Sequence, residues 1–444
     1  MSFFLPVIIF IILIRGISTL VFLLQTLSWL KNNMAVNLKK VEKQESPIKI
    51  SLAIPVLREQ QRIIKTLNYI VENINLQSIK IIVVTTQKEF TKKFKGLSTY
   101  GLVKDFIDKN RLSKIIRLVD YPNSGGNMVH QLNYVLNEVP DDSYFALYNA
   151  DSKPDPQTFP SFYNLLAQHP EVKAAQQSAI FLNNFDEIPL FLQASAVLQT
   201  RWTLTHELPR LLRQSLSGNN FLKKYANAHC VGHGLIIKAE LLKEIGGFPT
   251  GNITEDLFLG YLIKSKGIKI FPLPTLELAD SPKTIKGLWN QKYVWFWGPM
   301  KYWVYFDYLR RNREQLQVKD LLPPFSFAVQ GLLSAVAWAI SGPMIIIALL
   351  SPVFTDSHLL ILVAYFAIFI YGPLQYVITL QKLPDLLKSI RPNIKKFSFP
   401  ETVVLGIMSL PAIIFHSLPP YHSMIVEINH AIFHKEIYKL KTDD

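Results

Sequence analysis

Residues 144–151 read Tyr-Phe-Ala-Leu-Tyr-Asn-Ala-Asp, so that five apolar or aromatic side chains lead directly into Asn149 and Asp151. This pattern predicts a buried strand over Tyr144–Tyr148 that ends at a sheet edge. Because strand side chains alternate with a period of two, Asn149 and Asp151 would lie on the same face. Such oxygen donors suit Mg²⁺ or Mn²⁺. Asn-x-Asp shortly before Pro154 is also typical of a turn, so both interpretations stay open.

Three further apolar runs precede this stretch, at Ile50–Ile54, Ile79–Val84 and Ile115–Val119. The segment after the first run repeats its apolar residues with a helical period from Ile63 to Ile74. Strands that alternate with amphipathic helices predict an α/β domain with a parallel sheet. Ligands bind such sheets beyond the carboxyl ends of the strands, so those ends are where functional side chains are expected.

Long apolar runs flank this region and account for a chain that is 49% hydrophobic over 444 residues. Phe3–Leu24, Phe325–Leu350 and Leu359–Leu380 are each long enough to cross a bilayer. Thr402–Leu418 contains Pro411 and is expected to be re-entrant or two short pieces. The predicted divisions are a membrane helix at 1–30, a catalytic-type α/β domain at 45–284, interfacial aromatic-rich helices at 285–323, membrane helices at 324–420 and a tail at 421–444.

The 47 basic and 33 acidic residues give a net charge of +14. Basic residues cluster after the first apolar run and between the last two, so the positive-inside rule predicts a plasma-membrane protein whose α/β domain faces the cytoplasm. We therefore assign the charge to membrane lipids and expect no nucleic-acid partner. The single cysteine, Cys230, excludes an intrachain disulfide and a cysteine-based zinc site.

A second acidic motif, Thr254-Glu255-Asp256, has the form of a helix start. Its carboxylates would complement the helix dipole even without a catalytic role. The motif follows Gly-His-Gly at 232–234 and precedes Gln291 and Trp295. This order of motifs favours a functional interpretation over independent structural ones.

Together these motifs resemble the membrane-embedded family 2 glycosyltransferases, which include cellulose, chitin and hyaluronan synthases and have a GT-A (Rossmann-like) nucleotide-sugar domain. The similarity runs from about Ser51 to Gly298. Its first half comprises Ala53–Glu59, Gly125-Gly126-Asn127, Leu132-Asn133 and the metal motif Asn149-Ala150-Asp151. Its second half comprises the base motif Thr254-Glu255-Asp256 and the acceptor motif Gln291 to Trp295 with Gly298.

The resemblance implies an inverting transfer in which Asp151 holds Mg²⁺ or Mn²⁺ against the diphosphate. Asp256 would be the general base, with Glu255 beside it, and His233, Gln291 and Trp295 would contact the acceptor. The residues that it places around the nucleotide sugar are Pro55, Glu59, Thr85, Gly126, Asn127 and Asn149. The expected partners are a nucleotide-sugar donor, for which we expect a UDP-sugar, and a lipid or glycan acceptor.

The sequence departs from the family pattern at several positions. Thr85 and Thr86 stand where the family has an aspartate that reads the nucleoside, and Asn149 and Asn127 replace an acid and a lysine. Val294 replaces the arginine of the acceptor motif, which favours transfer of one or a few sugars over sustained polymerisation. Two alternatives remain open, a processive synthase with a secretion channel and a catalytically degenerate sensor or scaffold. The aromatic segment Ile285–Tyr308 is expected at the membrane interface or packed under the domain.

Overall fold

The computed structural model describes residues 4–40, 48–91, 96–391, 394 and 396–433. The strands are β1 Ile50–Pro55, β2 Ile79–Thr86, β3 Ile116–Tyr121, β4 Tyr144–Leu147, β5 Lys153–Pro154, β6 Ala174–Ile180, β7 Leu235–Lys238 and β8 Ile270–Leu278. The helices of the α/β region are α2 Ile63–Asn73, α3 Thr99–Lys109, α4 Met128–Leu136, α5 Thr158–Gln168, α6 Leu190–Trp202, α7 Leu208–Ser215, α8 Asn220–Tyr225, α9 Ala239–Glu244 and α10 Glu255–Ser265. The remaining helices are α1 Phe4–Lys40, α11 Ile285–Met300, α12 Tyr302–Arg311, α13 Leu322–Leu349, α14 Ser351–Phe354, α15 His358–Tyr371, α16 Pro373–Leu387, α17 Phe399–His416 and α18 Pro419–Phe433.

One eight-stranded sheet forms the centre of the α/β domain, with strand order β3-β2-β1-β4-β7-β6-β8-β5. The strands β1 to β4 pair in parallel, with Ile50 opposite both Ile79 and Tyr144. The four predicted strands are therefore confirmed, with ends that differ by at most two residues. The antiparallel β7 pairs with β4 and joins this parallel half to β6 and β8. The predicted α/β fold of GT-A type is confirmed, but the expected parallel arrangement holds without interruption only for β1 to β4, and the sheet as a whole is mixed.

Apolar side chains cover both faces of the sheet. Ile50, Leu52 and Ile54 pack on one face in a cluster that includes residues of α2, α3 and α5. Ala53 belongs to the opposite cluster, with residues of α4, α9 and α10. This alternation along β1 follows from the period of two, and burial on both faces explains why β1, β2 and β4 are largely apolar, whereas the edge strand β3 is only partly buried.

The strands β6 and β8 carry no clear strand signal in the sequence. Strand β6 is rich in buried polar residues at Gln176, Gln177 and Ser178, and β8 contains Pro272 and Pro274. Proline lacks an N–H for the ladder, and the pairing of β6 with β8 is irregular between Gln176 and Ser178. The Gln177 amide donates to Thr158 Oγ1 (2.7 Å) and Leu276 O (2.9 Å). Hydrogen bonds between distant segments therefore stabilise β6, whose residues have little strand propensity of their own.

Four helical segments of the described chain are long and apolar enough to span a membrane: Phe4–Met34, Leu322–Leu349, His358–Leu387 and Phe399–Phe433. The third segment breaks at Gly372, between α15 and α16. Pro411 lies inside α17, and the break in the last segment comes at Ser417-Leu418 instead. The last apolar region is therefore two consecutive helices. Residues 421–433 belong to α18, and 434–444 of the expected tail lie outside the described residues.

The aromatic segment forms α11 and α12. Tyr293, Trp297, Tyr302 and Tyr305 are buried, whereas Trp303 is 48% exposed. Ser423 of α18 donates a hydrogen bond to Tyr293 O (3.0 Å), which ties α11 to the last apolar helix. Most of the segment is thus buried within the protein, in contact with the apolar helices α13 and α18.

Candidate active site

Asn149 and Asp151 lie in a turn that follows β4. The strand ends at Leu147, the Asn149 N–H donates to Ser152 Oγ (2.9 Å), and the Ser152 N–H donates to Asn149 O (3.2 Å). The turn interpretation of Asn-x-Asp is therefore confirmed. The expectation that strand alternation aligns the two side chains is wrong because the strand ends before them. The turn still leaves Asp151 at the carboxyl edge of the parallel strands.

Asp151 lies among other ionisable groups. Burial, and then the negative charges of Asp280 and Glu277, raise the pKa of Asp151, while His233 and Arg62 act in the opposite direction. Arg62 also lies 3.9 Å from Asp280, between Nε and Oδ2. Asp280 and Glu277 were not expected from the sequence because β8, which brings them here, was not predicted. A strand ending in Glu-Leu-Ala-Asp was the available signal.

His233 is joined to this acidic group. Its Nδ1 lies 3.0 Å from Glu277 Oε2, and its backbone carbonyl accepts a hydrogen bond from Gln176 Nε2 (2.7 Å). Burial by itself lowers the pKa of His233, but the facing Glu277 carboxylate raises it to about 9. The next residue, Gly234, has φ +68°, and a Cβ there would lie 2.4 Å from Gln177 O. Glycine at position 234 therefore allows the loop to lie against β6. In that position His233 faces Glu277 and is cationic.

The base motif contacts the same loop from the other side. A Cβ added at Gly232 would lie 3.3 Å from Asp256 Oδ2, so glycine permits the close approach of this carboxylate. Thr254 Oγ1 lies 3.0 Å from Tyr305 OH, and a Cβ at Gly298 would lie 3.2 Å from the same Thr254 oxygen. The structure therefore brings both acidic motifs to the 232–234 loop and braces the second motif with α11 and α12. Glu255 begins α10 and is buried.

Three of the residues predicted to bind the nucleotide lie at the ends of β1 and β2. Pro55 ends β1, and Glu59 follows in a loop where its carboxylate is 3.8 Å from Arg62. Thr85 Oγ1 donates to Asp120 Oδ1 (2.7 Å). Asp120, near the end of β3, was missed, although it occupies a strand end of the kind that the sheet rule selects. Among the described residues, Asp120 is the carboxylate that accepts the hydrogen bond from Thr85. Thr85 stands where the family has an aspartate that reads the nucleoside.

Gly126 and Asn127 form the start of α4. Gly126 has φ +82°, and its carbonyl accepts a hydrogen bond from Lys88 Nζ (2.6 Å). Asn127 is the N-cap of α4, and its side-chain Oδ1 lies 2.8 Å from His130 Nδ1. The Asn127 side chain is therefore engaged in the cap, a structural reason for asparagine where the family has lysine.

Asn133, from the Leu132-Asn133 motif, hydrogen-bonds the segment that follows α9. Its amide donates to Phe248 O (2.9 Å) and accepts from the Phe248 N–H (2.8 Å). A Cβ at Gly247 would lie 2.5 Å from Asn133 Oδ1. Asn133 thus fixes α4 against the chain segment at Gly247 and Phe248 that follows α9.

The two acceptor-motif residues have different surroundings. Gln291 is buried, and its Oε1 accepts from Gln199 Nε2 (2.8 Å) and Lys292 Nζ (2.9 Å). Trp295 is partly exposed and packs 5.6 Å from Phe181, which lies 6.5 Å from His233. Trp295 is therefore linked to the His233 loop through one ring, whereas Gln291 holds α11 against α6.

No three His, Cys, Asp or Glu side chains of the described residues are arranged as a ready metal site. Asp151 nevertheless fits a divalent cation, because it is a carboxylate at the carboxyl edge of the parallel strands with a second carboxylate, Asp280, in its electrostatic surroundings. A cation held by one or two carboxylates and completed by diphosphate oxygens needs no prebuilt cage.

The comparisons agree with this architecture. Among solved structures, the chain is similar to the mannosyltransferase PcManGT from Pyrobaculum calidifontis in complex with GDP-Man and Mn²⁺, with 15% identity, TM-score 0.50, and coverage of 97% of this chain and 100% of that one. A weaker likeness is to glucosyl-3-phosphoglycerate synthase from Mycobacterium tuberculosis with Mn²⁺, UDP and phosphoglyceric acid, with 13% identity, TM-score 0.34, and coverage of 62% and 80%. No curated protein matches the sequence.

At these identities the structural likeness supports the fold alone. The sequence profile described as "Glycosyltransferase like family 2" matches residues 47–298, more than half of the chain. This range contains the sheet and all the motifs around the 232–234 loop. The chain therefore belongs to the family 2 glycosyltransferases and is a glycosyltransferase with candidate membrane-spanning helices on both sides of its GT-A domain.

Proposed function

We propose that the protein is an inverting glycosyltransferase that moves a sugar from a nucleotide-sugar donor to a membrane-associated acceptor, a lipid-linked sugar or a polysaccharide. The catalytic domain would work at the cytoplasmic face of the plasma membrane, as the basic residues beside the apolar runs favour. The observation that carries this proposal is the 232–234 loop, which has Glu277 and Asp151 near His233 and Asp256 against Gly232.

In this proposal the sheet edge holds the donor. Pro55, Glu59, Thr85 and Gly126 surround the nucleoside and diphosphate, with Asn127 and the backbone at the start of α4 nearby. Asp151, assisted by Asn149, would hold Mg²⁺ or Mn²⁺. When bound, the ion supplies charge that stabilises the diphosphate leaving group. The cationic His233 adds positive charge on the same side, because Glu277 keeps it protonated at neutral pH.

Asp256 would remove the proton of the acceptor hydroxyl as that oxygen attacks the anomeric carbon, and one displacement inverts the configuration. Glu255 would lie beside this base. Trp295 offers an aromatic face for a sugar ring. Gln291 would act by fixing α11, which carries Trp295, through its hydrogen bond to Gln199.

The test compares Asp256→Asn with Asp141→Asn, a matched change at an exposed carboxylate paired with Lys243. Purified proteins are incubated with UDP- and GDP-sugars, Mn²⁺ or Mg²⁺ and membrane extract. We expect Asp256→Asn to reduce transfer about 10²- to 10⁴-fold while donor affinity is unchanged. Asp151→Asn should instead weaken donor binding in the presence of the metal.

Mass spectrometry of the glycans and lipids identifies the product. A ladder of long products would support the processive alternative. Equal transfer by Asp256→Asn and Asp141→Asn would refute the assignment of the base. A complete lack of transfer or donor hydrolysis in the unmodified protein would favour the sensor alternative.

A further inference from the structure

Four arginines gather where the catalytic domain meets the first membrane helix. We refer to Arg15, Arg201, Arg210 and Arg213 as the arginine cluster. Arg15 of α1 and Arg201 of α6 each lie 5.3 Å from the centroid of the Tyr371 ring. Arg213 of α7 lies 4.9 Å from the Phe22 ring of α1. The cluster is therefore a product of the docking of α6 and α7 onto membrane helices.

The segment that carries most of the cluster contains a single π-helical turn, Thr203–Glu207, between α6 and α7. Trp202, His206 and Arg210 follow one another at intervals of four residues. The Trp202 ring is stacked on His206 at 6.1 Å and 8°, and Arg210 lies 6.0 Å from the same indole. Trp202 is 37% exposed, so this aromatic and cationic face is accessible. Such π turns often occur at functional sites.

The positive charge of the cluster lacks a close counter-charge. Among the described residues, no carboxylate lies within 4.0 Å of any of the four guanidinium groups. Glu207 acts on Arg210 from a greater distance, and burial raises the pKa of Glu207 to about 7. Burial, and then the charges of all four arginines, hold the pKa of His206 well below its usual value. An anion at this position would relieve the mutual repulsion.

The hydrogen-bonding groups divide into two sets. Arg15 donates to Ala337 O (2.9 Å) and Arg201 to Tyr371 O, so these two arginines brace membrane helices and contribute charge. Arg210 Nη2 donates to Ser334 Oγ (3.1 Å) and its Nη1 lies 3.4 Å from His229 Nδ1, while Arg213 Nε donates to Pro209 O (3.2 Å). Both side chains are only partly buried. Their remaining N–H groups have the fork geometry that suits phosphate oxygens.

Helix α1, whose Phe22 ring Arg213 contacts, also has an exposed apolar face, with Ile14, Ile17, Val21 and Leu24 all more than 40% exposed. An exposed tryptophan near cationic side chains is typical of the headgroup level of a membrane. We propose that the arginine cluster binds the phosphate headgroup of an anionic membrane lipid, with Arg210 and Arg213 as its hydrogen-bond donors. The acyl chains would lie along the exposed face of α1. The site does not require the lipid to be the sugar acceptor.

The test uses the full-length protein in detergent and counts bound lipid by native mass spectrometry. Dioctanoyl phosphatidic acid, dioctanoyl phosphatidylcholine and inorganic phosphate are the probes. Arg210→Gln/Arg213→Gln is compared with Arg310→Gln/Arg311→Gln, a matched double change at exposed arginines that pair with Asp307. Arg213→Gln alone, read in the same way, replaces the double variant if the latter fails to fold.

We expect the unmodified protein and the control to retain phosphatidic acid equally, and the cluster variant to bind it at least tenfold more weakly. Phosphatidylcholine should bind weakly to all three proteins, and equimolar inorganic phosphate should not displace phosphatidic acid. Unchanged phosphatidic acid binding by the cluster variant would overturn the proposal. Equal phosphatidylcholine binding, or displacement by inorganic phosphate, would overturn the assignment to an anionic lipid.

Discussion

Gly260 lies where α10 passes over the backbone that leads into the 232–234 loop. A Cβ at this position would lie 2.2 Å from Cys230 N and 2.6 Å from His229 Cα. Ordinary contact begins at 3.4 Å, so Gly260→Ala must separate the two segments by about 1.2 Å, the difference between 3.4 and 2.2 Å. The neighbouring atoms are backbone and have no rotamer that avoids the clash. Because α10 carries Asp256, we expect the separation to move this proposed base away from the His233 loop.

The size of the effect follows from two opposing terms. Overpacking costs about 1–3 kcal/mol, while replacement of a helical glycine by alanine recovers about 0.5–1 kcal/mol. We therefore expect the free energy of unfolding to fall by about 1–2 kcal/mol. A misplacement near 1 Å can reduce the rate about 100-fold. The expected loss of sugar transfer is therefore larger than the loss that unfolding of the protein would by itself produce.

The assay measures release of nucleoside diphosphate, together with thermal unfolding, in Gly260→Ala and in Gly218→Ala. Gly218 is the matched control because no atom lies within 4 Å of its added Cβ. If Gly260→Ala transfers sugar within twofold of Gly218→Ala, the close packing of α10 does not position Asp256, and the reasoning is wrong.

Three further predictions follow from individual contacts. Burial lowers the pKa of His233 but Glu277 raises it to about 9, so the stabilisation from this pair is fully present below about pH 6.5 and lost as pH rises through about 9. Glu277→Gln should move that loss to lower pH in a plot of unfolding temperature against pH; an unchanged plot would contradict the pairing. Asn133→Ala leaves two Phe248 backbone groups without partners and should lower the free energy of unfolding by about 1–3 kcal/mol in urea titration, whereas Asn73→Ala, at an exposed residue, should cost little. Asn127→Ala should cost about 1 kcal/mol and Asn127→Ser much less, since serine also caps helices; equal losses would rule out the cap as the cause.

The parallel half of the sheet could be predicted because its signals are local. Strands β1, β2 and β4 are short and largely apolar because they are buried on both faces, and β3 retains an apolar core of Ile116, Leu118 and Val119, so these strands are recognisable without knowledge of their neighbours. The antiparallel half could not be predicted in the same way. Strand β6 contains buried glutamines and β8 contains two prolines, and both are stable because of hydrogen bonds between distant segments, such as that from Gln177 to Leu276.

The residues of the candidate site show the same difference between local sequence signals and contacts made by distant segments. Sequence order alone pointed to Asp151, His233 and Asp256, since each belongs to a short motif. The partners that set their environment, Glu277 and Asp280, arrive on the unpredicted β8. Asp120 was likewise missed, because its importance depends on Thr85 of the neighbouring strand.

The amino-acid sequence by itself determined the family, the α/β class and the positions of the apolar segments, because each of these depends on local pattern. Only the tertiary structure decided which groups share one charge environment. The cationic state of His233 and the collection of Arg15 with Arg201, Arg210 and Arg213 both arise between residues far apart in the chain. Electrostatic interactions depend on distance in space and on burial, and neither quantity is encoded in the spacing of residues along the chain.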